Sequence, residues 1–473
     1  MSEIQFFTLE KRQIIYTFVK NTVIMNNIKI NRGLNIKLKG MADKSISDTK
    51  LSALFAVKPP DFLGLAPKLS VKVGHEVKAG TVIFFDKNRP EIKFTSPVSG
   101  KIYAIERGAR RKILEVVIES NNKQEYEAFK KGDPNKMSKE DIVENLLNSG
   151  IWPFFKQRPY GTVANPESTP KSIFISAFDS APLGVDYNYV MQNEGKMLQI
   201  GIDTLKQLTT GKIHLGIDGS EATIDAFKSL KNVEITSYTG KHPAGLVGTH
   251  IAKKDPINKG EVVWQLNPQD VVVIGRLFSE GKFCASRTIA LVGSEVSKPQ
   301  YYKTMLGAKI SSIIGDLVSN DNVRYISGNV LTGTKVHKEG YLGFYDSSIS
   351  VIPEGNHFQF FGWITPNFHK FSISKTYFSW LMPNKEYTLD TNFNGGQRAF
   401  VVTGQYEKVV PLDIYPVELL KACITKDIDK MEQLGIYEVL EEDFALCDYV
   451  CTSKQETQEI LRKGLDLMIK EVG

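Results

Sequence analysis

The sequence predicts a multidomain chain of the α/β plus α+β class. Three observations carry that prediction: glycine-punctuated apolar alternation over 28–119, alternating strand and helix patterns over 171–238, and amphipathic helical spacing after Pro416. With 473 residues and 42% hydrophobic content, the chain is long enough for about three domains and needs no metal or disulfide staple to hold its core.

Residues 1–27 read as an N-terminal extension. Their apolar stretch 14–19 follows acids (Glu3, Glu10) and ends at Lys20 with no small-residue cleavage site, which does not fit a signal peptide. Regular alternation begins only near Ile28, so Met25 is the expected start of the folded protein.

Residues 28–125 read as a small all-β domain. Val71 with Val73, and Ile113 with Val116 and Ile118, alternate as half-buried strands, and Gly74, Gly80 and Gly100 suit the turns between them.

The mode then changes to helix. Ser138 and Asp141 make a capping-box-like start, Ile142, Leu146 and Leu147 the apolar stripe, and Gly150 the stop. Across 126–265 the chain reads as a Rossmann-like α/β domain. Strands are expected over 172–177, 213–217 and 233–237, a helix over 195–208, and a second helix after Ser220 carrying Ile224, Phe227 and Leu230. Its loops hold neither GxGxxG nor GxxxxGK[ST], so the backbone cradle for a dinucleotide or triphosphate is missing.

Residues 266–340 read as a compact α+β module with strands over 271–274, 288–292 and 323–326 and a helix around 306–314. Residues 341–411 are rich in Gly, Pro, Asn and aromatics, among them Phe358, Phe360, Phe361, Trp363, Phe368 and Phe371, the composition of ordered docking loops. Residues 412–473 read as a C-terminal helical domain, with helices over 417–424, 428–434 and 441–451 and a last one capped by Ser453 with Glu456.

Composition excludes several function classes. The net charge of 59 − 53 = +6 gathers into no long basic stripe, so dedicated nucleic-acid binding is not expected. Apolar runs such as 271–274 stop far short of the ~18 residues that span a bilayer. Cys284, Cys423, Cys447 and Cys451 form no CxxC pair and no disulfide framework, which points to a reducing compartment, the cytoplasm.

Few residues suggest chemistry. Cys447 and Cys451 would share a helix face with Cys423 nearby, but a cluster wants CxxC-type spacing and a fourth ligand, so core packing is the expected role. His242 and His250 flank the turn-rich segment GKHPAGLVGTHI, where Pro243, Gly245 and Gly248 let backbone approach a neighbour closely; this is either a structural loop or a contact for an aromatic ligand or partner. Arg107, Arg110, Arg111 and Lys112 form one basic spot, and Lys156 with Arg158 another beside Trp152, Phe154 and Phe155, readable as a solvated face or a partner contact. No Ser/His/Asp, Cys/His or paired-carboxylate constellation stands out, so catalysis by this chain alone is not expected.

Taken together, these residues resemble the A subunit of the Na+-translocating NADH:quinone oxidoreductase over 28–473. The resemblance rests on IKINRGLNIKLKG, VGHEVKAG, SPVSGKI, RGARRKILEVVI, FKQRPYGT, HPAGLVGTHI followed by DPINKGEVVWQLNPQDVVVIGRLF, RYISGNVLTG, YLGFY, VVPLDIYPVELLKA and EEDFALCDYVC. In fold it is similar to the flavin subunit of complex I and the Rnf complex C subunit. That resemblance implies a barrel-sandwich (biotinyl/lipoyl-like) unit over 28–125, a Rossmann-like domain, a β-grasp soluble-ligand-binding domain over 266–340 and a helical bundle. The Gly-rich loop and the cluster cysteines of those relatives are not matched here, and Lys87 does not sit in a carrier hairpin of the lipoyl type.

The resemblance therefore implies a peripheral subunit on the cytoplasmic face of the bacterial inner membrane, without cofactors of its own. Its partners would be the other subunits, especially a membrane-embedded one, and NADH, flavins, iron–sulfur centres and quinone would act in or with those subunits. Quinone contact is assigned to His242, Pro243, Gly245, Gly248 and His250, with Arg158 as a donor. A purely structural docking subunit is the alternative, followed by an Rnf-type electron-transfer subunit; the missing loops disfavour an autonomous NADH-oxidising flavoprotein.

Overall fold

A computed structural model describes residues 26–48, 52–121, 123–357, 359–362 and 367–472. The expected extension and start at Met25, and the aromatics Phe358 and Trp363, lie outside the described residues.

A seven-stranded sheet forms the centre, in the order Asn26–Ile30, Glu234–Gly240, Ile213–Asp218, Ser172–Ala177, Val263–Leu266, Lys156–Arg158, Thr162–Val163. The first five strands run parallel, and the last two pair antiparallel at one edge. Ser172–Ala177 is buried almost throughout, as a central parallel strand covered on both faces must be, which is why it reads as a continuous apolar run. The helix Gly195–Leu208 has the expected bounds, with Leu198, Ile202 and Leu205 facing the core. The second helix is a single short one, Asp225–Lys228.

The all-β unit is built from a four-stranded sheet (Leu54–Val57, Ile113–Ser120, Gly100–Arg107, Glu76–Val77) and a three-stranded one (Pro67–Leu69, Val82–Asp86, Lys93–Thr95). The amino-terminal part of the expected all-β domain is placed elsewhere: Asn26–Ile30 extends the central sheet, and Asp43–Asp48 lies parallel to Gln300–Met305 at the edge of a third sheet. That sheet has six strands, in the order Thr334–Val336, Val323–Ser327, Ser348–Pro353, Ser286–Val292, Gln300–Met305, Asp43–Asp48. Ser348–Pro353 lies in the segment expected to be all loop, yet it sits inside this sheet with five of its six residues buried.

One element changes class. The expected strand over 271–274 is the middle of the helix Pro268–Glu280. Its start combines Asn267 as N-cap, Pro268 in the first turn and the Asp270 carboxylate bonded back to the Asn267 amide, and it stops at Gly281 in the left-handed conformation. Four consecutive β-branched residues are tolerated because all four are buried, and packing outweighs a propensity deficit of a few tenths of a kcal/mol per residue. The helix crosses Gly195–Leu208 closely: a Cβ on Gly275 would fall 1.9 Å from the Met197 carbonyl oxygen, and one on Gly201 2.2 Å from that of Val271.

The C-terminal helices Pro416–Thr425, Ile428–Gln433, Ala445–Val450 and Thr457–Glu471 pack around their own apolar core. The last helix is not capped by Ser453. Asp448 Oδ1 takes the Thr457 amide at 2.5 Å and the Thr457 hydroxyl at 2.6 Å, so a carboxylate from the preceding helix does the capping.

Candidate functional site

The segment after the strand Glu234–Gly240 is pinned from both sides. The His242–Pro243 peptide is cis, the His242 amide donates to Asn35 Oδ1 at 2.9 Å, and its carbonyl accepts from the Leu34 amide at 2.8 Å. Gly33 allows that approach, since a Cβ there would fall 2.1 Å from the His242 oxygen. On the other side Gly245 lies against 178–180, where a Cβ would be 2.2 Å from the Phe178 oxygen.

Ser180 Oγ accepts from the Gly245 amide at 2.8 Å and stands 3.1 Å from His242 Nδ1. Ser180 Oγ is thus shared between the Gly245 amide and the His242 ring. Nε2 is buried and without a hydrogen-bond partner among the described residues. Burial lowers His242 to about 4, so the ring is neutral at physiological pH.

His250 occupies the interior. It stacks on Tyr238 with centroids 3.7 Å apart, its Nε2 donates to the Ala244 carbonyl at 2.9 Å, and Gly216 leaves room for the ring, a Cβ there falling 2.3 Å from Cε1. Burial pushes it down to about 3.

Arg158 is the most committed side chain of the set. Its Nε donates to Gln265 Oε1 at 2.7 Å, Nη1 to Asp443 Oδ2 at 2.8 Å and Nη2 to Glu442 Oε1 at 2.5 Å. The Arg158 and Asp443 side chains are 1% and 0% exposed, Glu442 30%, so one guanidinium ties the central sheet to the C-terminal helices in a nearly dry setting. Burial is the largest influence on Asp443 and raises its carboxyl above the ordinary range against the pull of Arg158. For Glu442 burial also works upward, but Arg158 and Lys156 hold it below the usual value. Asp443 Oδ1 is left without a hydrogen-bond partner, 2.2 Å from where a Cβ on Gly248 would stand. Gly248 lies in the first turn of the helix Val247–Lys254, whose N-terminal dipole favours a carboxylate there.

The structure thus joins Arg158 to Gly248 through Asp443 and sets His242 in the field of Glu442, while His250 belongs to the sheet–helix interior. Sequence reasoning missed Asn35, Ser180, Gln265, Glu442 and Asp443. The available signal was the run of three acids, Glu441, Glu442 and Asp443, opening EEDFALCDYVC beside no local cation.

The crevice at the carboxyl ends of the parallel strands is filled. The chain moves from Ser172–Ala177 to Ile213–Asp218 and Glu234–Gly240 on one side and then crosses to Val263–Leu266 on the other, which makes the carboxyl end of Ser172–Ala177 the point of order reversal where open α/β sheets take ligands. Asp179 accepts there from the Ala181 and Val185 amides at 3.0 and 3.1 Å, Leu183 and Val185 are buried, and the Tyr187 hydroxyl meets the Asn267 side chain across the gap. A cleft of 190 Å³ opens further along, lined by Tyr189, Glu194, Arg276, Thr288 and Lys303.

The remaining candidates are dispersed. Cys423, Cys447 and Cys451 are buried, and Cys451 Sγ accepts from the Tyr406 hydroxyl at 2.8 Å. Burial pushes the Cys423 thiol up to about 12 and Cys447 upward as well, away from thiolate chemistry. Among the described residues no group of three or more His, Cys, Asp or Glu could hold a metal ion. Arg107, Arg110, Arg111 and Lys112 are exposed around a tight turn. Lys156 lies over the Tyr345 ring at 4.7 Å, and its neighbours Trp152, Phe154 and Phe155 are core residues rather than a contact surface.

Three family models match the chain: the NqrA N-terminal barrel-sandwich hybrid domain over 28–121, the NqrA second alpha/beta domain over 137–283, and the NQRA C-terminal domain over 288–338. Among curated proteins, the A subunit of the Na(+)-translocating NADH-quinone reductase of Neisseria meningitidis serogroup B is 40% identical over 448 residues, 94% of this chain and 100% of that one. The proteins of the same name from Yersinia pestis and Pasteurella multocida are each 38% identical over 94% of this chain and their full length.

Proposed function

The chain belongs to the family of A subunits of Na(+)-translocating NADH-quinone reductases, and from that premise we propose that it is a peripheral, cofactor-free component that contributes to assembly and quinone contact. The proposed activity is that of the whole complex: NADH oxidation by quinone coupled to Na+ export, with flavins and iron–sulfur centres in the partners. The proposed location is the cytoplasmic face of the inner membrane, beside a membrane-embedded subunit. None of the described helices is long and apolar enough to cross a bilayer, which agrees with a peripheral position.

The central sheet is proposed as a Rossmann-like domain, the six-stranded sheet as a β-grasp domain and the C-terminal helices as a bundle. The observation that carries the cofactor-free reading is the filled crevice: Tyr187 and Asn267 meet where a Rossmann-like sheet would seat a nucleotide.

The quinone contact is proposed at the segment of His242, Pro243, Gly245, Gly248 and His250 with Arg158 beside it. Within that segment His242 Nε2, a buried ring nitrogen without a partner among the described residues, is proposed to meet the headgroup, whereas Arg158 is spent on Gln265, Glu442 and Asp443 and His250 Nε2 on Ala244. A purely docking role is the second reading, favoured by that same commitment of Arg158.

Titration of the purified chain with a short-chain quinone, with an absorption spectrum alongside, tests the proposal. Saturable binding to a colourless protein, weakened in His242→Phe, is the expected result. No binding leaves docking alone, and flavin or iron–sulfur bands overturn the cofactor-free reading.

A further inference from the structure

The loop-rich lobe following the six-stranded sheet presents apolar side chains outward in a way the rest of the molecule does not. Phe360, Phe361, Phe368, Phe378, Trp380 and Leu381 are all exposed, Phe360 by 90%, within 22 positions of one another. They belong to one lobe. The Tyr377 hydroxyl donates to the Gly362 carbonyl at 3.1 Å, Lys370 Nζ donates to the same oxygen at 3.1 Å, and the Phe368 and Phe378 rings lie 5.6 Å apart.

The turn Phe378–Leu381 is amphipathic in the reverse of the usual sense. Its polar residue, Ser379, is 3% exposed and donates to the Lys370 carbonyl at 2.5 Å, while Phe378, Trp380 and Leu381 point out at 44, 50 and 56%. Water alone would drive the opposite arrangement, since burying an aromatic or leucine side chain is worth about 2 kcal/mol. The hydrogen bond to Ser379 holds the apolar side outward.

Lysines outnumber acids around this face, where the nearest carboxylate in sequence is the exposed Glu386 beside Lys385. No Asp or Glu occurs from 355 to 385, whereas Lys370, Lys375 and Lys385 do, and among the described residues none of the three is ion-paired with a carboxylate. Instead each ammonium lies over a ring: Lys375 over Trp380 at 5.6 Å, Lys370 over Tyr377 at 5.8 Å and Lys385 over Tyr387 at 5.9 Å. Protruding Trp, Phe and Leu beside the exposed Lys375, with Lys370 and Lys385 also donating to the Gly362 and Phe368 carbonyls, is the chemistry of a bilayer interface, where rings settle at headgroup depth and an ammonium group meets lipid phosphate.

We propose that the described residues 367–385 of this lobe form a membrane-surface anchor that inserts Phe378, Trp380 and Leu381 among the headgroups of an anionic bilayer. It acts independently of any quinone contact, and the occupant it selects is lipid rather than a protein groove.

The test is co-sedimentation of the purified full chain with vesicles of phosphatidylethanolamine and phosphatidylglycerol in equal parts, against vesicles of phosphatidylcholine alone. The chain should sediment with the anionic vesicles and release on raising salt. Replacing Phe378, Trp380 and Leu381 together by Ser should lower partitioning about tenfold or more. Lys375→Glu, which keeps Phe378, Trp380 and Leu381 in the sequence, should lower the preference for anionic lipid. A chain that stays in the supernatant with both vesicle types overturns the proposal. So does a triple variant, folded by circular dichroism, that partitions like the parent. Loss of co-purification with the other subunits by that variant, without any vesicle binding by the parent, makes the lobe a protein-docking face and likewise sinks the anchor.

Discussion

Arg158 and Asp443 stand 285 positions apart in the chain and 2.8 Å apart in the fold, both almost without solvent. Such a pair contributes little net stability once desolvation is counted, but losing one member strands the other. It fixes how the C-terminal helices sit on the central sheet.

Arg158→Met should therefore destabilise the protein by about 3–5 kcal/mol, and Arg158→Met with Asp443→Leu by distinctly less. Urea denaturation of both variants checks this. With Asp443→Leu measured alone as well, a double loss equal to the sum of the two single losses would show that the pair is not energetically coupled.

Acid should weaken the fold in a predictable window. His242 and His250 are held neutral at about 4 and about 3 against an ordinary 6.5, so below pH 6.5 the unfolded chain takes protons that the folded one refuses. Their contribution is complete above 6.5 and falls with pH by about 1.4 kcal/mol per unit per histidine until the folded values are reached. Unfolding free energy followed from pH 6.5 to 4 should show a shallower slope in His250→Asn than in the parent.

The helix crossing at Gly275 and Gly201 leaves no room for a methyl group. Gly275→Ala should cost more than about 2 kcal/mol although alanine is the better helix former by about 1 kcal/mol, because the obstruction is the Met197 backbone. Thermal unfolding reads this directly; an unchanged or raised midpoint would show that the two helices part easily.

Asn267 does two jobs, accepting from the Gln269 amide at 3.0 Å and meeting Tyr187 across the sheet's carboxyl end. Asn267→Asp keeps the cap and gives up the amide donor, whereas Asn267→Ala loses both. The alanine variant should be less stable by about 1 kcal/mol than the aspartate one, as a denaturation midpoint would show.

Much of this architecture was legible because local and global preferences agree. Leu198, Ile202 and Leu205 fall at helical spacing on a helix that buries one face, and 172–177 is apolar because both faces are covered. The run at 271–274 misled for a physical reason: a helix buried all round shows no periodicity, and its identity lay instead in Asn267, Pro268, Asp270 and Gly281. The His242 segment was visible through its Pro and Gly content, but its partners were not. Asn35, Ser180, Glu442 and Asp443 come from distant stretches, and no spacing rule links them. The last helix shows the same limit, since its cap is Asp448 and the local Ser453 is not used.

The strands Asn26–Ile30 and Asp43–Asp48 also order events in time. Their pairing partners, Glu234–Gly240 and Gln300–Met305, are synthesised some two hundred residues later. At about 5–20 residues per second, the first strands to leave the ribosome wait for tens of seconds with their edges open. During that interval the all-β unit between 54 and 120 can close on itself, since all its strands are already made. At that stage the nascent chain is a closed small module preceded by two segments whose pairing partners are not yet made.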